Sequence, residues 1–185
     1  MVQHALASMR AQWLGALHVS WMLTAAEDAI DAGAAGDETA AFHRFLVNAA
    51  KYTASRAATQ VVRDGIEVLG GNGTIEDFSI LPRLYRDAMV YESWEGTHNV
   101  ITQQVLNDSV RLDLLNVVGG RLESFGPLTE GAKHALADGQ HALDDRDWGA
   151  LHFRNVLDRL TTELAIAAMQ QHGFERESSN LRRSI

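Results

Sequence analysis

Apolar side chains recur at every third or fourth position along most of the chain, which is the period of an amphipathic α-helix. The pattern predicts two long helices, over residues 3–32 and 39–68, which Gly33 and Gly36 separate. No segment alternates apolar and polar residues as a half-buried strand does. The side chains of the first helix that are expected to pack in the core are Leu6, Met9, Trp13, Leu17 and Trp21.

The segment after the second long helix predicts shorter helices. Pro82 suits the first turn of a helix, so one is expected at about residues 80–91. Thr97 or Asn99 is expected to start another helix, because both residue types favour helix N-termini. The apolar period then continues to about Val118.

Glycine-containing breakers are expected to divide the last third of the chain. They are Gly119-Gly120 and Gly126-Pro127, and amphipathic stretches follow at about residues 128–143 and 147–172. Residues 174–185 are mostly polar and are expected to be frayed, as chain termini often are.

Together these elements predict an all-α fold. The simplest arrangement is an antiparallel helical bundle over residues 1–118, followed by a helical extension with a polar tail over residues 119–185.

Composition narrows the function classes. The chain has 185 residues, enough for one domain with its own core, and it has no cysteine, which excludes disulfide and thiolate chemistry. A net charge of −8 makes nucleic acid an unlikely partner. No stretch approaches the roughly 20 apolar residues of a membrane span, so we expect a cytoplasmic protein without membrane contact. The eight histidines lack metal-ligand spacing, and no metal is expected.

Two short motifs could carry chemistry. The first is the glycine turn Gly70-Gly71-Asn72-Gly73, which can simply stop a helix or bring bare backbone N–H groups close to a bound phosphate. The second is Trp94-Glu95-Gly96-Thr97-His98-Asn99. Its Glu95 is either an ordinary acid at a helix N-terminus or a general base. Thr97 and Asn99 either cap that helix or bind a ligand.

Both motifs, at their spacing, resemble the C-terminal helical domain of the acyl-CoA dehydrogenases, which are flavoenzymes. The stretch that matches the family signature reads Arg86-Asp87-Ala-Met-Val-Tyr-Glu-Ser-Trp94-Glu95-Gly96-Thr97. The likeness is strong from about residue 50 to residue 111. Glu67, where many members have Gln, and Trp94 before the acid are similar to a subgroup that includes the bacterial alkylation-response homologue.

The resemblance implies a role for each matching residue. Glu95 would be the catalytic base that removes the α-proton of an acyl-CoA thioester, and Gly96 would be a substrate-binding position. Gly70 and Gly71 would approach the adenine and diphosphate end of an FAD held by a neighbouring subunit. Thr97 and Asn99 would also contact FAD. Arg86 and Asp87 are expected to form a structural ion pair.

The resemblance also implies partners. A homo-oligomer, either a dimer or a tetramer, is expected, and the family's N-terminal helical domain and β-domain are missing from the sequence. The chain is therefore expected to be a C-terminal piece that is inactive alone, and the rival interpretation is a short natural protein that docks onto separate subunits. Electrons would pass to an electron-transferring flavoprotein or to oxygen, and the sequence leaves that choice open. The alternative hypothesis is a helical oligomerisation module without catalysis.

Overall fold

The computed structural model of the chain describes residues 1–183, and these residues contain helices and no strand. The all-α prediction is therefore confirmed. The helices are α1 (Val2–Asp31), α2 (Asp37–Leu69), a 3₁₀ turn (Gly70–Thr74), α3 (Leu81–Ser93), α4 (His98–Leu112), α5 (Leu114–Phe125), α6 (Glu130–Asp144), α7 (Arg146–Gln171) and α8 (Glu175–Arg183).

Helices α1, α2 and α7 form the centre of the bundle. Helix α1 packs along α2, and α6 packs along α7. One continuous core receives side chains from α1, α2 and α4 to α8. Phe45 and Leu46 of α2 are fully buried, as are Leu157 and Leu164 of α7. Each such side chain contributes about 1.5–3 kcal/mol of hydrophobic stabilisation, so these helices carry most of the core.

The predicted core stripe of α1 is correct only in part, because Leu17 packs against the core whereas three other members face outward. Leu6, Trp13 and Trp21 are 52%, 55% and 69% exposed. The buried face is instead made mostly of small residues, and a Cβ on Gly15 would meet the side chain of Leu181 at 2.8 Å. Gly15 therefore allows α8 to pack closely against α1 at this position.

The predicted helix from residue 97 to residue 118 is two helices. The chain bends at Asp113, whose backbone is left-handed with φ of 51°. The Asp113 carboxylate accepts hydrogen bonds from the side-chain amide of Asn116 at 2.9 Å, which supports this unusual conformation. Gly119 and Gly120 were expected to break a helix but lie inside α5.

The polar tail also differs from the expectation. Residues up to 183 form α8, in which Ser178 and Leu181 are buried, while residues 184–185 lie outside the described part of the chain. Arg182 donates two hydrogen bonds of 3.1 Å to the carboxylate of Glu163 on α7. A single buried leucine and a forked ion pair therefore order a segment whose composition alone predicts fraying.

The prediction for the start of α3 is confirmed, since Pro82 lies in the first turn of that helix. At the start of α7, the Asp145 carboxylate accepts from the N–H groups of Asp147 and Trp148. Within residues 1–183, no helix combines the length and the apolar character needed to cross a membrane. The division into residues 1–118 and 119–185 remains a prediction, and position 118 falls within α5.

Candidate active site

The loop between α3 and α4 carries the predicted base. Helix α3 ends where the N–H of Trp94 donates to the carbonyl of Val90 at 2.9 Å, and α4 begins after Thr97. Between them, Glu95 has a left-handed backbone with φ of 56°, and Gly96 has φ of 121°. A glutamate in this region costs about 1–2 kcal/mol relative to an ordinary backbone. Such strain is concentrated at functional sites in proteins, which makes the loop a candidate.

The Glu95 side chain is exposed, and its carboxylate has no hydrogen bond or ion pair with any described residue. It does not cap α4, since the N-cap position belongs to Thr97. Trp94, 56% exposed, stands beside it. An unpaired carboxylate on an accessible, conformationally defined loop can reach a proton of a bound molecule, which a structural ion pair could not.

Thr97 and Asn99 stand at the N-terminus of α4. Thr97 has the extended backbone of an N-cap residue, but its hydroxyl makes no capping hydrogen bond. Both side chains are exposed and unpaired among residues 1–183. Capping by the Thr97 hydroxyl is therefore not its role here. The hydroxyl, the amide and the positive end of the helix dipole remain available to a ligand.

The side chain of Lys51 on α2 contacts backbone carbonyl groups before and after Glu95. Its ammonium group donates to the carbonyl of Tyr91 in the last turn of α3 at 2.6 Å and makes a longer contact, 3.5 Å, with the carbonyl of Gly96. A cation at the C-terminal end of a helix also interacts favourably with the helix dipole. The end of α3 and the loop are thereby tied to α2.

Sequence analysis did not single out His98, the residue after Thr97. Its ring is buried, with Nε2 3.2 Å from the hydroxyl of Ser55 and Nδ1 3.5 Å from a guanidinium nitrogen of Arg154. The ring also meets the edge of Tyr52. A signal was present, because His98 shares the buried face of α4 with Ile101 and Val105 at helical spacing.

Burial shifts the ionisation of this cluster. It lowers the pKa of His98, and the nearby cations Arg154, Arg56 and Lys51 lower it further, while the Glu92 carboxylate opposes them. The ring is thus held neutral.

Tyr52 responds to the same surroundings in the opposite direction. Burial, together with the negative charge of Asp158, raises the pKa of Tyr52. Its hydroxyl accepts hydrogen bonds from Arg56 at 2.7 Å and from Arg154 at 3.2 Å. Both guanidinium groups therefore converge beside His98.

The glycine turn ends α2 through Gly70, whose φ of 62° favours glycine. A Cβ on Gly73 would lie 2.5 Å from the backbone oxygen of Ile66, so Gly73 is required by packing. A Cβ on Gly70 or Gly71 would meet nothing within 4 Å. The space beside these two glycines is therefore open, and the side chain of Glu67 is exposed next to it.

The glycine turn and the Glu95 loop lie at opposite ends of α3. The helix starts with Leu81 against Gly65 and ends with Tyr91 at Lys51, so it runs antiparallel to α2. Its 13 residues correspond to a length of about 20 Å. One copy of the chain does not bring the two predicted cofactor-binding segments together.

The predicted ion pair between Arg86 and Asp87 does not form. Arg86 instead pairs with Glu76 at 2.6 Å, and Asp87 lies 3.8 Å from Arg83, one helical turn away. Adjacent residues on a helix point in different directions, whereas residues four apart share a face. Within the described chain, no three His, Asp or Glu side chains converge as a metal site requires.

Comparison with known proteins places this site in context. The chain is 35% identical over 115 residues to acyl-CoA dehydrogenase family member 11 of Caenorhabditis elegans, a match that covers 62% of this chain and 18% of that protein. It is 34% identical over 106 residues to the putative acyl-CoA dehydrogenase AidB of Escherichia coli K12, covering 57% and 19%. The chain thus spans about a fifth of the length of these relatives.

The fold has a counterpart among solved structures. The crystal structure of Caenorhabditis elegans ACDH-11 in complex with C11-CoA superposes with a TM-score of 0.79 at 24% identity, covering 97% of this chain and 34% of that one. The shared fold therefore extends into α6 and α7. The family described as acyl-CoA dehydrogenase, C-terminal domain, matches residues 1–109. This chain belongs to that family.

Proposed function

We propose that the chain works as the C-terminal domain of an FAD-dependent acyl-CoA dehydrogenase, with Glu95 as the base. One observation carries this proposal: the Glu95 carboxylate is exposed and unpaired on a loop whose left-handed backbone is costly for glutamate. An acyl-CoA substrate is in keeping with the related ACDH-11, which was crystallised with C11-CoA.

In this proposal the chain supplies the residue that accepts the substrate's α-proton. The Glu95 carboxylate removes the proton from the α-carbon of the acyl thioester, and the electron pair left behind forms the α,β double bond. A bound FAD would supply the acceptor for the β-hydrogen, which leaves as hydride. Gly96 would lie against the substrate, since its φ of 121° excludes a side chain that could obstruct the space beside the base.

The residues present fit a flavin at two separate places. Thr97 and Asn99 offer an unengaged hydroxyl and amide at the start of α4. Gly70 and Gly71 offer backbone with open space around it, which a flavin could approach closely. Because about 20 Å of α3 separates the two places, we propose that they serve different flavins and that a dimer or tetramer completes each site.

A titration of the purified chain with FAD, followed by flavin fluorescence and by the protein's mass in solution, tests this arrangement. We expect no stoichiometric binding and no acyl-CoA oxidation by the chain alone, since one base without a held flavin has no hydride acceptor. Acyl-CoA oxidation by the 185 residues alone would contradict the requirement for further domains.

The role of Glu95 is tested in the enzyme that includes the other domains. Glu95→Gln should retain the flavin spectrum and lose turnover by orders of magnitude, because the amide has nearly the same shape and cannot accept the proton. Glu123→Gln is the matched control, the same change at an exposed glutamate of α5 that belongs to neither predicted cofactor-binding segment. Turnover that survives in Glu95→Gln would remove Glu95 from the mechanism.

An oligomerisation module without catalysis is the second candidate, and exposed apolar residues favour it. Trp13 and Trp21 lie on the outer face of α1, and Phe78 and Ile80 lie exposed before α3. Aromatic residues are enriched at protein–protein interfaces. Defined self-association of the chain, combined with full turnover of Glu95→Gln in the longer enzyme, would support this candidate over the first.

A further inference from the structure

Arg154 of the C-terminal extension reaches the start of α4, directly after the loop that carries Glu95. Arg154 projects from α7 to the ring of His98, which is the first residue of α4 and lies three residues after Glu95. Helices α4 and α7 pack against each other in this region. A residue in the extension therefore contacts the segment that sets where the candidate base stands.

The hydrogen bonds around His98 define its protonation. The Ser55 hydroxyl donates to the carbonyl of Lys51 at 2.8 Å, so its oxygen is left to accept from Nε2–H of His98 at 3.2 Å. This assigns the proton to Nε2 and leaves the Nδ1 lone pair facing the Arg154 guanidinium at 3.5 Å. The neutral ring thus bridges α2 and α7.

We propose that Arg154 is a positioning residue, which fixes the Glu95 loop from the C-terminal extension by holding the neutral ring of His98. The assignment of Glu95 as the base belongs to the proposed function, and the catalytic meaning of this contact rests on it. The contact itself does not depend on that assignment.

Protonation would change the partner of His98. A protonated ring has no lone pair for Arg154, whereas the Glu92 carboxylate lies 3.6 Å from Nδ1. Glu92 belongs to the last turn of α3, three residues before Glu95. On protonation, His98 would lose its hydrogen bond from Arg154 of α7 and gain an ion pair with Glu92 of α3. This change of partner would move the start of α4 relative to the loop.

The charges that face His98 come from three helices. Lys51 and Arg56 approach from α2, beside the neutral Tyr52 and Ser55. Glu92 approaches from α3, and Arg154 from α7.

Asp158 of α7 pairs with Arg56 and compensates part of the positive charge of the cluster. The cations oppose protonation of His98, so the tie to Arg154 is the state expected at neutral pH. Substitution of Arg154 therefore tests the contact that is expected at neutral pH.

Fluorine NMR of the chain labelled with 5-fluorotryptophan reports on the loop directly. Trp94 is next to Glu95, and its resonance is assigned by Trp94→Phe, while the other three tryptophans report on the rest of the fold. Arg154→Met should shift the Trp94 resonance and raise the pKa of His98, measured from its imidazole signals, because a neighbouring cation is gone. Arg154→Lys should restore the pKa of His98 toward its original value.

Arg159→Met is the matched control. Arg159 lies on the same helix and pairs with Asp138 of α6 at 2.6 Å, away from His98. This variant should leave both readouts unchanged. An unmoved Trp94 resonance in a folded Arg154→Met chain would overturn the proposal, as would an equal shift in Arg159→Met.

If Arg154→Met does not fold, His98→Phe addresses the same contact. Its ring has no nitrogen that could accept from Arg154, so the Trp94 resonance should again shift, and an unmoved resonance would overturn the proposal. These measurements need neither flavin nor substrate. Failure of the proposed function appears separately, as turnover that survives in Glu95→Gln.

Discussion

The backbone of Glu95 provides a prediction that links stability to the proposed chemistry. Glu95→Gly should make the chain more stable, although it deletes the candidate base. Glutamate in a left-handed conformation is strained because its Cβ approaches the following carbonyl oxygen, and glycine has no Cβ. The Glu95 carboxylate makes no contact with the described residues that would be lost with it.

The magnitude follows from two opposed terms. Relief of the left-handed strain is worth about 1–2 kcal/mol. The greater freedom of glycine in the unfolded chain offsets roughly 0.5–1 kcal/mol of this. The free energy of unfolding should therefore rise by about 0.5–1 kcal/mol, which corresponds to an increase of about 1–4 °C in Tm for a chain of this length.

Urea unfolding followed by circular dichroism measures this change. Glu95→Ala is the control that removes the carboxylate and keeps the Cβ, and it should remain within about 0.5 kcal/mol of the original chain. Asp113→Gly, at the other left-handed non-glycine position, should gain less, because it also loses the hydrogen bonds from Asn116. If Glu95→Gly were no more stable than Glu95→Ala, the strain assigned to this loop would be refuted.

Two further predictions concern packing and pH. Gly149→Ala should destabilise the chain by about 1–3 kcal/mol in thermal unfolding, since its Cβ would overlap the carbonyl oxygen of Ala142 and force α6 away from α7. Gly120→Ala on the open side of α5 should instead gain up to about 1 kcal/mol from helix propensity, and equal effects of the two changes would contradict the packing argument. Burial lowers the pKa of His98, so its neutral ring contributes stability that is complete above the unfolded pKa of about 6.5 and is lost as the pH falls from there toward the lowered value. Urea unfolding at a series of pH values should therefore show a smaller loss of stability on acidification in His98→Gln than in the original chain, and parallel curves would contradict this.

The sequence by itself determined the all-α class, most helix positions and the family. Helical periodicity is a local property, and the apolar positions of α2, the proline in α3 and the Asp145 cap of α7 all acted as their residue types predict. The signature around Glu95 is also a local property, because it is defined by the order of consecutive residues. Family membership then agrees with the match over residues 1–109.

Only the tertiary structure decided which face of each helix is buried. In α1 the aromatic stripe and the small-residue stripe have the same period, and the close approach of α2, α7 and α8 selected the small one. Likewise α8 is ordered by contacts with distant α1 and α7, through Leu181 and the pair of Arg182 with Glu163. These contacts join residues far apart in sequence, which local patterns cannot specify.

The site follows the same division. Sequence order identified Glu95, Thr97 and Asn99, whereas the left-handed backbone of Glu95 and the burial of His98 appear only when α2, α3, α4 and α7 meet. Arg154 is 56 residues from His98 along the chain, and nothing in either local segment points to the other. A backbone angle and a buried ring depend on the elements packed around them, and for this reason the tertiary structure, and not the motif, shows how the loop is held.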